Sequence, residues 1–171
     1  MYKKTILFVV LSLALLGCSK GASDEEIKIQ KYHSYYNEII NNEIFLTTSS
    51  FFDTEIVMTK LSDGQYKYEI IIDNPKVAMF NISALVVEVG VSVNIDEQML
   101  PEFGIFNNLS KNMIPNQVNL DNNYVKGIVL GGITTNEFPS IRLYVNWQNY
   151  GNLETYKEFI EFEIVAITDN E

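Results

Sequence analysis

The sequence predicts a mainly β fold: a single antiparallel β-sandwich of about seven strands, preceded by one amphipathic helix. Apolar and polar residues alternate at period two in segment after segment from Phe51 onward, as strands with one buried face require. Turn signals such as Ser62-Asp63-Gly64, Asn74-Pro75, Asp121-Asn122-Asn123 and Gly131-Gly132 break the run into segments, at the roughly ten- to fifteen-residue spacing of a sandwich. Helical spacing at three and four is confined to one stretch ahead of them.

At the start of the chain, Lys3 and Lys4 make a short basic region, and Ile6 to Leu16 is an apolar run interrupted only by Ser12. A run of roughly 11 residues falls well short of the about 20 needed to cross a hydrocarbon core, so it reads as a secretory signal peptide. Leu15, Gly17 and Cys18, in that order behind the apolar run, resemble the lipobox of bacterial lipoprotein precursors. The resemblance covers the first twenty or so residues only. It implies cleavage between Gly17 and Cys18, a diacylglyceryl group on the Cys18 sulfur, and further acylation, of the palmitate kind, on the new amino group. Two acyl chains, at about 0.8 kcal/mol per buried methylene, make such an anchor permanent. The expected location is therefore extracytoplasmic, on a bacterial membrane, and Ser19 fits onward export where an outer membrane exists. In the competing reading Cys18 is a free thiol ending an uncleaved helix, a liability outside the cytoplasm.

The expected division is a signal peptide over 1–17, a lipidated tether over 18–23, a helix over 24–41 and a β-sandwich domain over 45–168. The formal charge is −10, and −12 without residues 1–17, which carry Lys3 and Lys4 and no acid. So acidic a chain is repelled by phosphate backbones and anionic lipid heads, which argues against nucleic-acid partners and leaves membrane contact to the lipid. Cys18 is the only cysteine. No intrachain disulfide exists, and apolar packing has to hold the domain.

Ser23 and Glu26 have capping-box spacing, and Asp24, Glu25 and Glu26 suit the positive end of a helix dipole. Ile29, Tyr32, Tyr36, Ile39 and Ile40 then share one helical face. That stripe is expected on the domain's own core; the alternative turns Tyr32, Tyr35 and Tyr36 outward as a partner-facing aromatic strip.

Phe52, Thr54, Ile56 and Met58 give the buried face of a first strand, and Tyr66, Tyr68, Ile70 and Ile72 return against it after Gly64. Asn74-Pro75 ends that hairpin. A third strand is expected from Ile82 to Val93, with Leu85, Val87, Val89, Val91 and Val93 on one face. The other face, Ala84, Val86, Glu88, Gly90 and Ser92, suggests partial cover by a neighbour. Gly104-Ile105-Phe106 reads as a short edge strand, and Val118 to Leu120 and Tyr124 to Leu130 as strand material stopped by Gly131-Gly132. Ile141, Leu143, Val145 and Trp147 face inward on the next strand, with Arg142, Tyr144 and Asn146 outward. In the last strand Tyr156, Ile160, Phe162, Ile164 and Ala166 share a face, with Glu158 and Phe159 breaking the alternation. The count resembles an immunoglobulin-like sandwich, with a small barrel second; the disulfide of antibody domains is absent. Fold alone fixes no function.

Chemical signals are sparse. His33 is the sole histidine, so a multi-imidazole zinc site is impossible and a Ser-His-Asp triad has no nucleophile motif to join. No glycine-rich phosphate loop precedes a helix, and no cofactor is expected. Asp121 with Asn119, Asn122 and Asn123 offers oxygens to calcium without the spacing of a full calcium loop. Asn81-Ile82-Ser83 and Asn108-Leu109-Ser110 match a glycosylation sequon that a bacterial lipoprotein does not normally use. Trp147, with Arg142, Tyr144 and Tyr150 nearby in sequence, is either core or, if exposed, an aromatic anchor for a protein or glycan. The expectation is a membrane-tethered, non-catalytic interaction module, an accessory subunit of an envelope machine or an immunity-type lipoprotein. Loops or an open sheet edge would engage a protein or wall component. The alternatives are an envelope hydrolase using paired carboxylates, which needs a pocket where they converge, and a small-ligand carrier, which needs an enclosed apolar cavity.

Overall fold

The computed structural model describes residues 22–107, 110–151 and 153–164. The signal segment, Gly17 and Cys18 lie outside them. Helix α1 (Asp24–Asn41) is followed by strands β1 (Asp53–Lys60), β2 (Tyr66–Asp73), β3 (Phe80–Glu88), β4 (Glu102–Phe103), β5 (Gly127–Thr134), β6 (Ser140–Gln148) and β7 (Thr155–Glu163). They form two antiparallel sheets, in the orders β1-β2-β5 and β4-β3-β6-β7. The chain crosses between sheets after β2, after β4 and after β5, an immunoglobulin-like connectivity in which the fourth strand belongs with the third and not with the fifth.

On β2 and β6 the inner faces are those that the alternation predicts, whereas on β3 the faces are exchanged: Ala84 and Val86, expected under partial cover, face the core. Tyr68, Ile70 and Ile72 on β2, with Ile128 and Leu130 on β5, meet Ile82, Ala84 and Val86 on β3 and Ile141, Leu143, Val145 and Trp147 on β6. The β1–β2 hairpin pairs Asp53 with Asp73 through Lys60 with Tyr66, closed by Gly64 at φ +82°.

A second apolar layer lies between the helix and the outer face of sheet β4-β3-β6-β7. Leu85 and Val87 point away from the sandwich core and are buried with Tyr32, Ile39, Leu100, Ile105 and Tyr144 under α1. Sheet β4-β3-β6-β7 is thus covered on both sides, which is why β3 reads as a nearly unbroken apolar run. Along α1, Lys28 Nζ donates to the Phe106 carbonyl, Lys31 Nζ to Ser83 Oγ, Tyr35 packs 4.5 Å from the Tyr144 ring, and Lys157 Nζ reaches Glu38. The helix therefore runs across the strands, from the β4 side to β7. Its capping box forms as expected, with Ser23 Oγ accepting from the Glu26 amide and Glu26 Oε2 from the Ser23 amide.

The docked face is rotated from the expected stripe. Tyr32 and Ile39 are buried, whereas Ile29 and Ile40 are exposed. The receiving surface carries the polar Ser83 and the Tyr144 ring, so the amphipathic Lys31 and Tyr35 fit it better than isoleucine does. Burial pulls the Lys31 ammonium below its ordinary pKa, against the pull of Glu102.

Three strand limits also shift. β3 ends at Glu88 and Gly90 turns the chain at φ +80°, so Val89 to Val93 form a loop. The edge strand lies at Glu102–Phe103 because Gly104, at φ +70° and against the Ile82 carbonyl, turns the backbone out of the ladder. Gly131 and Gly132 do not stop β5. They pair with Glu69 and Tyr68, and the Tyr68 ring fills the space over Gly132. Glu158 keeps perfect alternation in β7: it lies on the inner-facing side with Ile160, while Phe159 packs on Tyr144 at 5.1 Å.

Candidate functional site

At the end of the sandwich formed by the β2–β3 and β6–β7 turns, the two sheets part into a cleft of about 260 Å³. Phe51, Val77, Ala78, Trp147, Asn149, Tyr150 and Tyr156 line it. Trp147 is its floor. That ring is 1 % exposed and meets Phe52 edge-on at 5.7 Å and Phe51 at 5.5 Å. Tyr156, on the adjoining β7, stacks on Trp147 and is 39 % exposed.

Local chemistry sets each wall. Asn149 builds the β6–β7 turn: its Oδ1 accepts from the Leu153 and Glu154 amides, and its Nδ2 donates to Glu154 Oε2 at 3.0 Å. The same Glu154 oxygen accepts from the Tyr156 hydroxyl at 2.7 Å, which fixes the ring and raises the phenol pKa. Tyr150 stands at the tip, 83 % exposed, with its ring 6.0 Å from Phe80. Phe51 is held by its carbonyl, which accepts from the Lys76 amide at 2.7 Å, and by its amide, which donates to Ser49 Oγ. Lys76 and Asn74 both bond Asp53, whose carboxyl they hold below its ordinary pKa.

The residues singled out from sequence separate into three groups. Trp147 and Tyr150 meet in this cleft. Tyr32, Tyr35, Tyr36 and Tyr144 belong to the helix–sheet layer. Tyr32 and Tyr144 are buried there, the Tyr32 hydroxyl accepting from the Leu100 amide at 2.8 Å, so the outward aromatic strip does not form. Burial raises the Tyr35 hydroxyl to about 12 and that of Tyr144 further still. Arg142 is on the outer side of β6, paired with Glu161 at 3.1 Å and 4.1 Å above the Phe45 ring. Sequence reading missed Phe51 and Tyr156 as partners of Trp147. The register of Trp147 opposite Tyr156 is the signal that finds them, and it emerges only once β6 and β7 are paired.

Other chemistry is thinly represented. Among the described residues no group of three or more His, Cys, Asp or Glu side chains could hold a metal. At the Asp121 turn, Asn119 Oδ1 accepts from the Asn122 amide and Asn123 Oδ1 from Lys111 Nζ, so two of the candidate calcium oxygens are engaged. Burial raises the pKa of the Glu158 carboxyl. No described helix is long and apolar enough to cross a membrane. Compared with protein-family models, with curated proteins and with solved structures, the chain matches none.

Proposed function

We propose that this chain is a lipid-anchored, extracytoplasmic binding module without catalytic activity, and that it seats an apolar or aromatic side chain of a protein partner in the Trp147 cleft. The observation that carries the reading is the layered aromatic floor and wall, with Trp147 buried, Tyr156 half-exposed above it and Tyr150 projecting beside the opening. Rigid rings bury a large area at low entropic cost and are the usual anchors of protein interfaces. The cleft volume is below the roughly 300–1,000 Å³ of most small-ligand pockets and suits a single inserted ring. Its mouth is open to solvent through Tyr150, which favours presentation to a partner over carriage of an enclosed ligand. The lipid on Cys18 would confine that encounter to the membrane surface.

The test has two arms. Intact-mass analysis of the native protein should show a chain beginning at Cys18 and carrying acyl groups; a chain beginning at Met1 with a free thiol would refute the anchor. Cross-linking in intact membranes should capture a reproducible partner with the wild type and lose it with Tyr150→Ala and Tyr156→Ala. Equal capture by the variants would refute the cleft.

A further inference from the structure

The four sheet edges are treated very differently. Edge strand β1 exposes Asp53, Glu55 and Lys60 along its length, charges that discourage pairing with another strand. The β7 edge is covered: the Leu46 amide donates to the Phe159 carbonyl at 2.8 Å, and the Glu161 amide to the Leu46 carbonyl at 2.9 Å. β4 is two residues long. Only β5 is both long and bare. It pairs with β2 on one side and with no other strand among the described residues, and its eight residues, Gly127–Thr134, carry no charge and no proline. Its two outward large side chains, Val129 and Ile133, are 58 % and 61 % exposed. A groove of about 450 Å³ follows its second half, walled across from Gly132 and Ile133 by Val91, Met99, Leu100 and Pro101.

We propose that the β5 edge is a homodimer interface, in which β5 pairs antiparallel with β5 of a second copy around a two-fold axis at Gly131. This proposal is independent of the cleft and of the lipid. The strand is self-complementary in that register. Val129 falls opposite Ile133 of the other copy on the same face, where cross-strand apolar pairs stabilise a sheet, and Gly131 meets Gly131 with no side chain at the axis. The charges flanking the bare stretch also complement. Lys126, just before β5 and without an ion pair among the described residues, comes opposite Asn136 of the other copy. There it meets an acidic end made by Glu137 and by Glu88, whose Oε1 accepts from the Thr134 hydroxyl at 2.8 Å. An isologous contact of this kind closes at two copies and joins the three-stranded sheets into one of six.

The experiment uses the purified full chain, kept in mild detergent throughout, and reads its oligomeric mass by sedimentation together with disulfide capture in intact cells. Directly opposed antiparallel residues have Cα atoms about 4.5–5.5 Å apart, within disulfide range. Gly131→Cys should therefore cross-link to a dimer, while Val57→Cys on the charged edge and the wild type stay at background. The double variant Val129→Lys, Ile133→Lys, on exposed positions that leave the core untouched, should raise the dimer dissociation constant at least about tenfold, and it serves equally if Gly131→Cys folds poorly. A monomeric wild type overturns the proposal. So does a dimer that the lysine variant leaves intact, or Gly131→Cys cross-linking no better than Val57→Cys when both fold. Slow amide exchange along β5 in a monomer would show that another segment or protein covers the edge, and overturns it equally.

Discussion

Trp147 and Tyr156 face each other across β6 and β7 with ring centroids 5.7 Å apart and planes 17° from parallel. One ring is sealed in the core and the other is open to solvent. Tyr156→Ala should leave the fold intact and expose the tryptophan. Because Trp147 is the only tryptophan, its fluorescence emission should shift to the red in that variant. Unchanged emission would mean the stacking is not maintained in solution. Trp147→Ala removes the floor and should cost about 3–5 kcal/mol in denaturant unfolding.

The Tyr32 hydroxyl accepts from the buried Leu100 amide at 2.8 Å. Tyr32→Phe keeps the ring and orphans that donor, which should cost about 1–2 kcal/mol. A variant as stable as wild type would show that water replaces the hydroxyl.

Glu158 Oε2 is buried with no hydrogen-bond partner among the described residues, and desolvation raises its carboxyl above the ordinary 4.5 while a hydrogen bond from Ser49 opposes the shift. A raised folded-state value means that the protonated form fits the fold better. Below the ordinary value both folded and unfolded chains hold the proton and no penalty arises; as pH climbs through the folded value, stability is lost. Glu158→Gln should therefore be more stable than wild type at pH 7, with the gap closing below about pH 4.5. Thermal unfolding at both pH values checks this, and a gap independent of pH would contradict it.

Gly104 and Gly64 both adopt positive φ, yet a Cβ at Gly104 would strike the Ile82 carbonyl whereas Gly64 has open space. Gly64→Ala should cost about 1 kcal/mol from backbone strain alone, and Gly104→Ala well over 2 kcal/mol. Similar losses at the two sites would mean that the β3–β4 contact relaxes easily.

The strands with one covered face were legible because their alternation records a single boundary between core and water. β1 and β2 are of this kind, and their registers follow the pattern residue by residue; β6 follows it except at Tyr144, which α1 covers. β3 was harder, since both of its faces are buried and a continuous apolar run does not say which side meets which neighbour. The helix face was legible in part: Tyr32, Tyr36 and Ile39 dock as the spacing predicts, but Ser83 and Tyr144 make the surface beneath partly polar, so counting isoleucines adds Ile29 and Ile40 where Lys31 and Tyr35 sit. The Gly131-Gly132 pair looked like a stop because a strand gains nothing from glycine by itself, but the Tyr68 ring supplies the missing side-chain contact from next door. The cleft was half visible. Trp147 and Tyr150 stood out as residue types, while Phe51 joins them through tertiary packing that separates it from Trp147 by most of the chain.

The strap-like course of α1 has a consequence for the order in which the molecule assembles. Its contacts reach 68 residues ahead to Leu100, 78 to Phe106 and 119 to Lys157, so a chain delivered from its amino end presents the helix long before the floor beneath it exists. Loop closure over such separations is slow. Made before every strand it packs on, the helix has no complete seat until β7 is present to offer Lys157 to Glu38.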